Sequence, residues 1–158
     1  MVFVEKSLVD MVTEIEFRRM AREDILIPNE RPDVFVPDSE DSNQTIVSEE
    51  YIKSLGEFAA RNFYALWELY INAQHRGNKS NPDLPIITKV FEGSRGTVMR
   101  IEDCGEGFDY KDFIVKMRLG VRFFEGEGKG LRYSDRSKDL VSYEGDGNIV
   151  NVMSPLGV

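Results

Sequence analysis

The sequence is poor in the residues that make metal and redox chemistry legible. It has one cysteine, Cys104, and one histidine, His75, among 158 residues. A single cysteine excludes an internal disulfide, and one histidine with one cysteine gives no support for a zinc site. The only tryptophan, Trp67, lies inside an apolar run and reads as core. No apolar stretch is long enough to cross a bilayer. The opening "MVFVEKSLVDMVTE" lacks the basic start and small-residue cleavage site of a signal peptide, so a cytoplasmic location without membrane insertion is expected. Positive charge is also in deficit. The formal net charge of −8 argues against a nucleic-acid surface, because phosphates attract basic patches. Residues 33–50 hold no Lys or Arg and read as a solvated acidic loop at their centre.

What is present fits one domain with a core of its own, 41% of its residues being apolar. Val4, Leu8, Met11, Val12, Ile15, Phe17 and Met20 recur at three- and four-residue spacings, which predicts an amphipathic helix over residues 4–22. Pro28, Pro32 and Pro37 allow only short extended pieces after it. Ser48 is suited to start a second helix. Apolar residues from Tyr51 to Ala73 sustain helical periodicity until Gly77, making this the longest predicted helix.

Then the texture changes. "PIITKVFEG" and "GTVMRIEDCGEG" predict a hairpin across a Gly-Ser-Arg-Gly turn. "YKDFIVKMR" and "LRYSDRSKDL" read as short helices, and "DLVSYEGDGNIVNVMS" as a closing strand pair turning at 145–147. Helices followed by an antiparallel sheet predict an α+β two-layer sandwich, with the helices on one face. Residues 1–47 form a helix and acidic loop packed on the same unit, and residues 48–158 form its main body.

Three stretches could carry chemistry. In "WELYINAQHRGNK", Glu68, Asn72, His75 and Arg76 share roughly one helical face at ~100° per residue, with Lys79 near it if the helix persists. A carboxylate and a carboxamide one turn apart suit a hard cation such as Mg2+, although such a stripe can equally be solvated. "IEDCGEGF" ends a strand on Asp103 and adds Gly105 and Gly107, which permit positive φ and close backbone approach. "GEGKGL" sets Gly126, Gly128 and Gly130 before a predicted helix, where free amides can cradle phosphate.

In this order the three stretches resemble the GHKL ATPases, whose Bergerat-type nucleotide site is shared by gyrase, histidine kinases, MutL and the ninety-kilodalton chaperones. "ELYINAQHRGNK" looks like the N box, "EDCGEGF" like the first glycine box and "GEGKGL" like the second. The tail "KDLVSYEGDGNIVNV" is similar to the closing strand pair, with Gly147-Asn148 where many relatives have Gly-Thr. The resemblance spans about residues 48–154 and comes nearest to the anti-sigma-factor serine/threonine kinases.

It implies ATP or ADP as ligand with Mg2+ as cofactor. Glu68 would be the general base and Asn72 the metal ligand. Asp103 would receive the adenine amine, Gly105 and Gly107 would shape the adenine side, and Gly126, Gly128 and Gly130 would wrap the phosphates. Residues 111–125 would form a lid, and Arg76 and Lys79 would be phosphate neighbours. The activity implied is phosphoryl transfer to a regulatory protein, a sigma factor or an anti-anti-sigma-like domain. A histidine-kinase-like ATP-binding domain, a nucleotide-gated binding module and a simple ATPase remain alternatives. The 4–22 segment could cover the sheet or serve as a homodimer or partner surface.

Overall fold

The computed structural model describes residues 2–37, 45–107, 109–112, 115 and 139–156. Its centre is a six-stranded sheet built from β1 (Val2–Phe3), β2 (Phe17–Leu26), β5 (Ile86–Gly93), β6 (Gly96–Glu102), β7 (Leu140–Glu144) and β8 (Ile149–Pro155). The order across the sheet is β1-β7-β8-β6-β5-β2, antiparallel throughout except for β1 beside β7. A separate two-stranded ribbon joins β3 (Phe35–Pro37) to β4 (Thr45–Val47). The fold is thus α+β, and residues before 48 supply both edge strands of the sheet. Among the described residues, no helix is long and apolar enough to cross a membrane.

Alternation along the strands divides the core in two. Val90, Met99, Ile101, Val141, Val150 and Val152 point to one face and meet α2 (Glu49–Ser54), α3 (Glu57–Arg61) and α4 (Phe63–Ile71). Phe91, Val98, Leu140 and Met153 point to the other, where Met11 and Ile15 of the α1 segment (Leu8–Glu14) cover them. The expectation that all helices share one face is therefore corrected: α1 packs on the second face, alone among the described helices.

The predicted helix over 4–22 is also corrected. Only Leu8–Glu14 is helical, opened by a capping box between Ser7 and Asp10 and closed where Glu16 turns to φ +53°. Phe17 onward is strand. Two bulges in β2, at Arg18 and Ala21, insert extra residues into its pairing with β5. They set Phe17 and Met20 three residues apart on one face, a spacing that imitates a helix.

The long helix predicted from Ser48 is real but broken. Ser48 caps α2 as expected, its hydroxyl accepting from the Tyr51 amide at 3.1 Å. Gly56, at φ +135°, separates α2 from α3. Buried Asn62 separates α3 from α4, its Nδ2 donating to the Phe58 carbonyl at 2.8 Å and to the Asp139 carboxylate. The β5–β6 hairpin and the β7–β8 turn lie where the sequence places them. Most of "YKDFIVKMR", and all of "GEGKGL" and "LRYSD", fall outside the described residues.

Candidate functional site

Beyond α4 the helix widens into a π-helical turn, Asn72–Gly77. Its signature is the Asn78 amide donating to the Ala73 carbonyl five residues back, at 2.8 Å. Such turns are uncommon and concentrate at functional sites. The widening ends the helix at Gly77 and carries it onto the end of β6.

There the packing is close. A β-carbon on Gly77 would sit 2.2 Å from Asp103 Cγ, and one on Gly105 would sit 1.9 Å from the Gly77 carbonyl oxygen. Gly107, at φ +85°, lies equally tight against the backbone of Asp146 in the β7–β8 turn. The close approach that Gly105 and Gly107 allow is thus to the protein's own backbone, and that of Gly77 is to the Asp103 side chain. Asn78 fastens the same corner, its Oδ1 accepting from the Cys104 amide at 2.8 Å and its Nδ2 donating to the Pro85 carbonyl at 3.0 Å.

The result is a narrow slot. Leu69, Asn72, Ala73 and Gly77 form its helix side, Ile101 and Asp103 its floor, and Tyr143, Gly147, Asn148 and Val150 its far wall. Its volume of about 20 Å3 admits about one water. Asp103 is only 8% exposed, with Oδ1 accepting from the Gly105 amide at 2.8 Å. Burial pushes its carboxyl up to about 6; the Gly105 amide opposes that shift, and the charge of Glu102 adds to it. The Asp103 amide donates to the Asn148 carbonyl at 3.0 Å, which locks the floor to the far wall. Burial also raises the Tyr143 phenol, and the charge of Arg76 counteracts it; Arg76 itself does not line the slot.

Asn72 and Asp103, far apart in sequence, are therefore brought together. Gly105 and Gly107 support the floor from behind. Glu68 lies one turn before Asn72 on α4 and does not line the slot. Lys79 is exposed in a left-handed turn at φ +53° and is likewise absent from the lining, since the helix does not persist to reach it. His75 serves the same turn, with Nδ1 2.7 Å from Ser80 Oγ. Gly126, Gly128 and Gly130 lie outside the described residues. Gly77, expected only as the helix end, and Asn78 also build this corner; an asparagine directly after a helix-ending glycine was the available signal.

Tyr143 also borders a larger cavity of about 640 Å3. It stacks between Phe3 and Tyr110, with ring centroids 6.3 and 5.5 Å away. Glu5, Lys6, Lys111 and Glu144 are the charged groups that line that cavity.

No family model matches the chain, and no curated protein and no solved structure is significantly similar to it.

The donor set can be weighed directly. Among the described residues, no three His, Cys, Asp or Glu side chains group to hold a metal. A Mg2+ ion does not need such a cage, since one protein oxygen with phosphate oxygens and waters suffices. Asn72 offers that oxygen at the slot. Asp103 offers a buried acceptor to an N–H donor. A purine ring exceeds the slot, so admitting one requires its walls to part.

Proposed function

We propose that the slot is the inner end of a Mg-ATP site of the GHKL type, and that the chain is an anti-sigma-like serine/threonine protein kinase. The observation that carries this reading is the convergence of Asn72, Asp103 and Asn148 on one slot from three separate stretches of chain. The resemblance gives Asn72 to the metal and Asp103 to the adenine amine, and Asn148 stands where many relatives have the threonine of Gly-Thr.

Asp103 would accept from the exocyclic amine, and its burial makes that bond selective, because an amine that fails to bond would leave a desolvated carboxyl unpaired. Asn72 would hold Mg2+, which when bound supplies charge neutralisation for the transferring phosphoryl group. Glu68, one turn away and outside the lining, would serve a hydroxyl at the phosphate end. There it would take the proton of a serine or threonine on the protein substrate.

Calorimetry with ATP and ADP, with and without Mg2+, tests the site. Millimolar nucleotide giving no heat would end the reading. If nucleotide binds, labelled ATP with candidate partner domains separates protein phosphorylation from hydrolysis. Glu68→Gln should then abolish transfer and leave nucleotide affinity within a few-fold. Binding with no turnover in either assay would leave a nucleotide-gated binding module.

A further inference from the structure

Behind the slot, on the second face of the sheet, lies a polar group. Ile101, Val150 and Tyr143 stand side by side across β6, β8 and β7, and all three line the slot. Side chains alternate along a strand, so the rows to either side point to the second face. One row is Arg100, Asn151 and Ser142; the other is Glu102, Ile149 and Glu144. Only Ile149 among them is apolar.

Glu144 joins this group to α1. Its Oε2 accepts from Arg100 Nη1 at 3.0 Å and from Asn151 Nδ2 at 2.8 Å, which ties it to β6 and β8. Its Oε1 accepts from the amide of Leu8, the first residue of α1, at 3.0 Å. Ser142 adds a second tie, its Oγ accepting from the Lys6 amide at 3.3 Å and donating to the Lys6 carbonyl. Asn151 is fully buried, and Arg100 and Glu144 are mostly so. Among the described residues, Glu144 is the one hydrogen-bond acceptor that Arg100 and Asn151 find, Arg100 Nε being left 3.6 Å from Glu102 Oε2. Losing Glu144 would strand two largely buried donors.

The residue after Glu144 begins the turn that makes the far wall. Gly147 and Asn148 line the slot from that turn, and the Asn148 carbonyl accepts from the Asp103 amide. The helix side of the slot lies on the first face. A wall that parts from it therefore moves toward the second face, where α1 stands. The α1 segment is lightly held: only Met11 of its seven residues is buried, in a cluster separate from the main core. Segments with few buried contacts open at low cost.

We infer that α1 is a strap that holds the slot shut from behind, with Glu144 as the link. Whatever lifts α1 from the sheet lets the slot widen, and whatever fills the slot loosens α1 by the same coupling free energy. This regulation goes beyond the nucleotide reading and holds for any ligand of the slot.

Native-state hydrogen exchange on the full chain tests the link without a ligand, so its outcome is independent of any nucleotide titration. Ser7 is extended at ψ 164° and Leu8 opens the helix, so proline fits at position 8 and leaves the capping box intact. Leu8→Pro deletes the amide that Glu144 holds, whereas Leu8→Ala shortens the side chain and keeps that amide. The Asp103 amide should exchange about tenfold or more faster in Leu8→Pro than in Leu8→Ala, the size of a lost hydrogen bond to a charged group. Amides of β5 should exchange equally in both variants. With Glu144→Ala in place, the two Leu8 variants should no longer differ at Asp103.

The reverse direction has its own variant. Gly107→Ala crowds the Asp146 carbonyl and displaces the turn, so the Met11 amide, bonded to the Ser7 carbonyl, should exchange faster. Thermal unfolding checks that each variant folds, and the Leu8 pair decides alone if Gly107→Ala does not. Equal Asp103 exchange in the Leu8 pair would overturn the inference, as would a difference that persists without Glu144. So would β5 amides that speed up by the same factor, or a Met11 amide unmoved in folded Gly107→Ala.

Discussion

The Asp103 carboxylate lies against the bare Cα of Gly77, so close that a β-carbon there would fall 2.2 Å from Cγ and 2.3 Å from Oδ2. The end of the π turn and the end of β6 are thereby one object. Gly77→Ala should push Asp103 off the slot floor, destabilising the chain by about 1–3 kcal/mol as overpacking does. Denaturant unfolding would read that loss, and calorimetry should show nucleotide affinity falling with it. An alanine variant of unchanged stability would mean that the corner yields freely.

Asp103 should make stability depend on pH. Its folded carboxyl lies at about 6 against an ordinary 3.8, because burial penalises the anion. Between those values the folded state holds more protons than the unfolded chain. Its contribution is therefore full below the ordinary value and is lost as pH rises through about 6. A shift of that size corresponds to about 3 kcal/mol. Asp103→Asn should flatten this part of the profile and unfold at higher temperature than the parent at pH 8. The same variant should lose adenine binding, so stability and ligand affinity move in opposite directions.

Asn78 makes bonds of both senses, accepting from Cys104 and donating to Pro85. Asn78→Asp keeps the acceptor but cannot donate when ionised, and it buries a charge in a side chain only 2% exposed. It should destabilise more than Asn78→Ala, which we expect to cost about 1–3 kcal/mol. Equilibrium unfolding in urea would rank the two, and the reverse order would remove the donor role.

Between the helices and β5, the Tyr70 hydroxyl lies 2.6 Å from Thr88 Oγ1, both fully buried or nearly so. Tyr51 packs edge-on against Tyr70 and donates to Asp24 Oδ2 at 2.6 Å. Tyr70→Phe strands the threonine hydroxyl and should cost about 1–2 kcal/mol, whereas adding Thr88→Val removes both partners and should recover part of the loss. A double-mutant cycle with strictly additive values would show that the hydroxyls do not depend on each other.

Much of this was written in local pattern. The serine cap at Ser48, the hairpin around Ser94 and Arg95, the strand pair around Asp146 and the α+β class follow from turn chemistry and apolar spacing. Such signals act between near neighbours, and neighbours are what a sequence displays. The bulged strand β2 was illegible for the same reason: its face pattern exists only relative to β5, and without that partner two extra residues read as helical spacing. The side of the sheet taken by α1 was equally hidden, because an amphipathic helix states that it buries a face but not against which layer.

At the slot the division is similar. Residue types and their order marked Glu68, Asn72 and Asp103 as chemically notable, since carboxylates, carboxamides and glycines carry their chemistry wherever they stand. Which of them meet was decided by tertiary structure. The π turn brings Asn72 to Asp103 and leaves Glu68 and Lys79 off the lining, and burial raises the Asp103 carboxyl. Desolvation and sub-3 Å backbone approach are properties of packed neighbours distant in sequence, so only the folded chain could specify them.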